Sequence, residues 1–142
     1  MRRDLIERKT PAEWNVHPLT NAHFWFYCRE RDIIIREMPL ERLGYATLIR
    51  GQRIIFLNDE LRGAGRLFVL FHEIAHHWLH PRRTHFFRGW EEEFDIEANI
   101  VAACALIPRT RIVHWSKHEL SAEGLPDWII KLRQETLDYW EI

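Results

Sequence analysis

The sequence predicts an α+β fold, mainly helical, in which a small β-sheet or hairpin packs beside one long helix. Residues Tyr45 to Ile49 and Arg53 to Leu57 are rich in β-branched and aromatic side chains and bracket the turn-like Arg50-Gly51-Gln52. The stretch from about Glu60 to His80 has helical apolar periodicity. A chain of 142 residues with 46% hydrophobic content supports one core and not two, so residues 1–142 are expected to form a single domain.

The opening residues to about His17 read as a short helix or an arm, and Thr20 to Arg31 as a helix capped by Thr20 or Asn21. Ile33-Ile34-Ile35 is a short strand that joins the hairpin in a small sheet. Arg53 to Asn58 leads into the long helix and is the candidate exposed edge strand, able to hold an extended peptide by main-chain hydrogen bonds. Pro81 ends the helix. Arg82 to Gly89, with Phe86 and Phe87, then forms a loop expected over a cleft. The next helical segment offers acids from Glu91 to Asn99 and ends in Ala105-Leu106-Ile107-Pro108, and Thr110 to His118 and Leu125 to Tyr139 read as two further helices. In the last of these, Trp128, Ile129, Leu132 and Leu137 form a core or partner-docking stripe.

On the long helix, with Leu70 at zero and about 100° per residue, Leu67, Leu70, Phe71, Ile74, Ala75, Trp78 and Leu79 fill an arc of about 180°. His72, Glu73, His76 and His80 fall together at about 200° to 300°. The polar edge is therefore a cluster of metal-binding groups. His77 lies outside it and is expected on the helix surface.

In His72-Glu73-Ile74-Ala75-His76 the two imidazoles, four residues apart, converge on one point. That is what a zinc site with three protein ligands and an open position needs, and Glu73 is the natural general base. His80 reads as a partner of a ligating histidine, or as a group complementing the helix C-terminal dipole. A third ligand must come from elsewhere, and Glu91 to Asn99 offers acids.

The helix of His72 to His80, followed by Asp95-Ile96-Glu97-Ala98-Asn99 and Ala105-Leu106-Ile107-Pro108, resembles the ImmA/IrrE family of zinc metallopeptidases, which is gluzincin-like. The likeness covers roughly Tyr45 to Pro108, with the C-terminal helices of 109–142 beyond it. It implies a zincin-like core and one zinc ion, held by His72, His76 and the acid four residues before Asn99. Family members carry Glu there, whereas this chain has Asp95. With Asp95 at zero on its helix, Asn99 lies near about 40°, Ala102, Ala98 and Ala105 border the same side, and Glu93 and Glu97 lie opposite. The order of preference for the third ligand is Asp95, then Glu97, then Glu93. Asn99 is placed to hold a metal-bound histidine by its other ring N–H.

A net charge of −1 gives no global attraction to nucleic acid, and direct nucleic-acid binding is not expected. No apolar run approaches a membrane span and the N-terminus soon turns charged, so a cytoplasmic protein without membrane association is expected. Cys28 and Cys104 show no CxxC spacing and are assigned no chemistry. Seven tryptophans and eight phenylalanines are a heavy aromatic load, expected mostly in the core.

The expected activity is that of a zinc endopeptidase, with Glu73 as base and His114, Tyr45 or His85 as candidate oxyanion stabilisers. The resemblance implies a protein or peptide substrate, specifically a repressor-like transcription regulator. The alternative is a metal-stabilised interaction module that binds a regulator without cleaving it.

Overall fold

The computed structural model describes residues 1–81 and 91–142. The expected connecting loop, with His85, Phe86 and Phe87, lies outside the described residues. Helices α1 (Arg3–Lys9) and α2 (Asn21–Arg31) precede strands β1 (Ile33–Met38), β2 (Gly44–Ile49) and β3 (Gln52–Asn58). They are followed by α3 (Gly63–Leu79), α4 (Glu91–Leu106), α5 (Arg109–His114), α6 (Lys117–Ala122) and α7 (Asp127–Trp140). The fold is α+β, as the sequence predicts.

Local chemistry explains most boundaries. Thr20 caps α2, its hydroxyl accepting from the His23 amide while the His23 ring accepts from the Thr20 amide. Arg50 and Gly51 have φ of 50° and 78°, the left-handed pair that closes a two-residue hairpin with the right-handed twist of its strands. The single helix expected from Thr110 to His118 is instead two. Trp115 is extended, and Ser116 restarts the chain through a capping box with Glu119.

The sheet has the order β1-β3-β2, with β3 parallel to β1 and antiparallel to β2. This corrects the expectation that Arg53 to Asn58 is an exposed edge. β3 is the central strand, and its backbone groups are taken up on both sides. Of the two edge strands, β2 is the one that packs against α3.

Ile55 and Leu57 of β3 are fully buried, as are Leu70, Phe71, Ile74 and Ala75 of α3. The most extensive helix–helix contact is between α3 and α4. It is close because α4 contributes the fully buried Ala98, Ala102, Ala103 and Ala105, whose short side chains let two backbones approach. His77, expected on the surface, is 5% exposed. Its Nε2–H donates to the Ile54 carbonyl at 3.1 Å, and its Nδ1 accepts from Arg53 at 3.3 Å. The α3 face beside the apolar arc is covered by β3, which an isolated helical wheel does not contain. Among the described residues no helix is long and apolar enough to cross a membrane.

Candidate metal centre

α3 delivers His72, Glu73 and His76 to one edge, where each offers a ligand atom within 4.8 Å of the others. The Nε2 atoms of His72 and His76 are 3.2 Å apart. Oδ1 of Asp95, reaching over from α4, lies 3.6 Å from the first and 3.2 Å from the second. Glu73 Oε1 is 3.7 Å from His72 Nε2. Two carboxylates thus flank the imidazole pair, and Asp95 approaches both rings.

The other nitrogen of each ring is also engaged. His72 Nδ1 is 2.8 Å from Oδ1 of Asn99, which has no proton to give there, so the imidazole donates. His76 Nδ1 is 2.9 Å from Nδ1 of His80, whose Nε2 is 3.0 Å from Oε1 of Glu97. Because an ionised carboxylate only accepts, His80 donates through Nε2; with that ring neutral its Nδ1 accepts, and His76 donates through Nδ1. Both rings then direct an Nε2 lone pair at the Asp95 oxygen.

Three electron-rich atoms this close repel unless a cation or a proton lies among them. Two ligands at zinc's usual distances in a tetrahedron are separated by about 3.3 Å, so the spacings found here fit such an ion. The Asp95 carboxyl, like an ordinary aspartate, is ionised near neutral pH and is present as the anion a metal requires.

The acids of α4 separate by task. Glu97 is fully buried on the far side of His80, bound to Arg2 through its backbone N–H at 2.9 Å, Nε at 3.1 Å and Nη2 at 2.7 Å. Burial alone would raise its pKa, but the hydrogen bonds from Arg2 and then His80 bring it down to about 2. Glu93 Oε1 lies 3.2 Å from the Met1 nitrogen. Glu97 faces His80 and Glu93 faces the Met1 nitrogen, whereas Asp95 faces the imidazole pair.

The cluster opens into a cleft of about 520 Å³, walled on one side by Arg42 to Thr47 at the β2 edge and on the other by Phe68, Val69, Trp128 and Leu132. Tyr45 lines it, stacked on Phe56 with centroids 4.8 Å apart. His114 is exposed at the end of α5 and is not among the residues lining the cleft, while His85 lies outside the described residues. Sequence reasoning misses three contributors. Arg2 is 95 positions from Glu97, and no local pattern announces the contact. Phe94, stacked on the His80 ring at 3.9 Å, reads only as an apolar residue among acids. Gly44 carries the close approach of β2 to α3, since a Cβ there would meet the Phe56 carbonyl oxygen at 2.9 Å, Val69 at 3.1 Å and Glu73 Cγ at 3.4 Å.

Residues 28–124 match the IrrE N-terminal-like domain (Peptidase_M78). The chain is also 28% identical over 90 residues to "Uncharacterized immunity region protein 2" of Bacillus phage phi105, covering 60% of this chain and 57% of that one. The chain thus spans little more than half the length of that curated relative. No solved structure matches significantly. The matched span includes both α3 and α4 and covers well over half of the chain, which therefore belongs to the IrrE N-terminal-like domain family of peptidases.

Proposed function

We propose that this protein is a zinc-dependent endopeptidase of the His-Glu-x-x-His type that cleaves a specific regulatory protein. The observation that carries the reading is the meeting of His72 Nε2, His76 Nε2 and Asp95 Oδ1 within 3.2 to 3.6 Å at the floor of an open cleft. His72, His76 and Asp95 would hold the ion. Zinc, when bound, polarises a carbonyl and makes water nucleophilic near neutral pH.

The chain's own groups supply the rest. Glu73, 5% exposed and held against β2 by the closeness of Gly44, takes a proton from the attacking water on a carboxylate oxygen and passes it to the leaving amide nitrogen. Asn99 and His80 keep the two imidazoles oriented. The β2 edge offers main-chain groups along the cleft wall to an extended peptide. Tyr45 is the remaining candidate to support the developing oxyanion, since it alone of the three expected residues lines the cleft among the described residues.

A regulator as substrate is supported by the family and by the name of the phage relative, an immunity region protein. A repressor-like transcription regulator is the substrate class that we assign, with the cytoplasm as the place of action.

Metal analysis by mass spectrometry tests the centre. About one zinc per chain is expected, lost in both His76→Ala and Asp95→Ala. A wild type that takes up no zinc at neutral pH overturns the reading. Glu73→Gln is expected to keep zinc and fold while cleavage of a repressor substrate falls by at least about 100-fold. Unchanged cleavage by that variant would remove Glu73 from the mechanism, and absence of cleavage by wild type with zinc in place would favour the interaction module.

A further inference from the structure

We propose that Arg2, from the N-terminal arm outside the matched family span, is a positioning residue that sets the tautomer of His76 through Glu97 and His80. This rests on the metal-centre reading above, because it concerns the ring that would bind the ion. The connected groups are Arg2, Glu97, His80 and His76, joined by contacts of 2.7, 3.0 and 2.9 Å. Glu97 and His80 are 0% and 6% exposed, so water competes little for the contact between them, while Arg2 reaches in from the surface with 46% of its side chain exposed.

The polarity of the chain follows from its ends. Arg2 only donates, and it donates to both oxygens of Glu97. Glu97 is therefore held as an acceptor toward His80, whose Nε2 must carry the proton. In the neutral ring His80 Nδ1 is then an acceptor for His76, leaving His76 Nε2 with its lone pair toward His72 and Asp95. Phe94 braces the relay, with its ring stacked on His80 and the Arg2 guanidinium 5.5 Å from its centroid.

The opposite tautomer is within reach of one substitution. In Glu97→Gln the Oε2 position faces the Arg2 backbone N–H and Nε, whereas the Oε1 position faces Nη2, which can turn away, and the His80 ring, which can reverse its protons, so the amide oxygen takes the Oε2 position and the NH₂ the Oε1 position beside His80. An NH₂ there donates to His80 Nε2 and reverses every proton in the relay. His76 Nε2 then carries a hydrogen and cannot ligate.

The test compares the full chain with Arg2→Ala, Arg2→Lys, Glu97→Gln and, as a control on the same arm, Arg3→Ala. Zinc affinity is measured by competition with a chelator, and the His76 tautomer by ¹⁵N NMR of the metal-free protein. Arg2→Ala is expected to weaken zinc binding about 10- to 100-fold, with Arg2→Lys between it and wild type. Glu97→Gln is expected to move the His76 proton from Nδ1 to Nε2, and Arg3→Ala to leave affinity and tautomer unchanged. Wild-type zinc affinity in Arg2→Ala, or an unaltered His76 tautomer in Glu97→Gln, overturns the proposal. Failure of the wild type to bind zinc would overturn the metal-centre reading, and the metal-free tautomer measurement would still decide the role of the relay.

Discussion

Asp95 and Glu97 stand two positions apart on α4 and do different things, because a helix turns successive carboxylates about 200° apart. Asp95 meets the imidazole pair, while Glu97 is sealed behind His80. Asp95→Ala is therefore expected to lower zinc stoichiometry even at saturating metal. Glu97→Ala should weaken affinity and reach full stoichiometry when zinc is in excess, a contrast that titration followed by metal analysis would display. His77 carries a separate prediction. Burial pushes its pKa down to about 4, so the folded protein keeps the ring neutral where the unfolded chain, near about 6.5, takes up a proton. Between those values the unfolded state binds more protons, and stability falls as pH drops from about 6.5 to about 4, by up to about 3 kcal/mol from this one group. Urea unfolding at pH 7 and pH 4.5 should show a smaller loss in His77→Gln than in wild type. The clustering of His72, Glu73, His76, Asp95 and Asn99 is legible in the sequence because spacing within a helix determines which side chains share a face. Arg2 and the burial of His77 are not, since each depends on a segment that arrives from elsewhere in the chain.

At the scale of elements, β2 and α3 are packed closely enough that Gly44 leaves no room for a methyl group. The nearest obstacle is the Phe56 backbone oxygen at 2.9 Å, which cannot rotate away as a side chain would. Gly44→Ala is expected to cost about 1–3 kcal/mol and to displace the β2 edge from Glu73, seen as a lower Tm together with reduced cleavage. On the opposite wall Trp128 is half-exposed and packs edge-on to Phe68 at 4.9 Å. Trp128→Ala should raise KM for substrates with a bulky apolar side chain beside the scissile bond, with little change for small ones, as peptide-series kinetics would measure. The hairpin and the long helix are readable from turn residues and periodicity. The sheet order is not, because a β2–β3 hairpin leaves either strand free to pair with β1. The break at Trp115 is masked by apolar spacing that continues across it, and only the Ser116–Glu119 capping box marks the restart.

In the whole molecule, residues on both sides of the matched span 28–124 enter one core. Ile6, Trp14, Leu19 and Phe24 precede it, Ile129 and Ile130 follow it, and all six are buried in the same cluster. Arg133, fully buried on α7, donates to the Ile107 carbonyl and to Asn15 Oδ1, tying α7 to the end of α4 and to the arm. A fragment limited to residues 28–124 is therefore expected to lack a cooperative thermal transition, whereas the full chain should unfold in one step by calorimetry. Aromatic residues are divided in the same way. Trp14, Phe24, Phe71 and Trp78 fill the core, while Trp25, Phe26 and Trp140 remain at the surface. The open edge of β2 has a further consequence. Leu48 and Ile49 at its far end are 48% and 47% exposed, without a charge on either to deter a visiting strand. A backbone ladder without a strand partner among the described residues does not distinguish a substrate from a second copy of the same protein. If this edge receives the substrate as proposed, a second copy of the chain competes for the same groove, and activity per molecule is expected to fall as protein concentration rises.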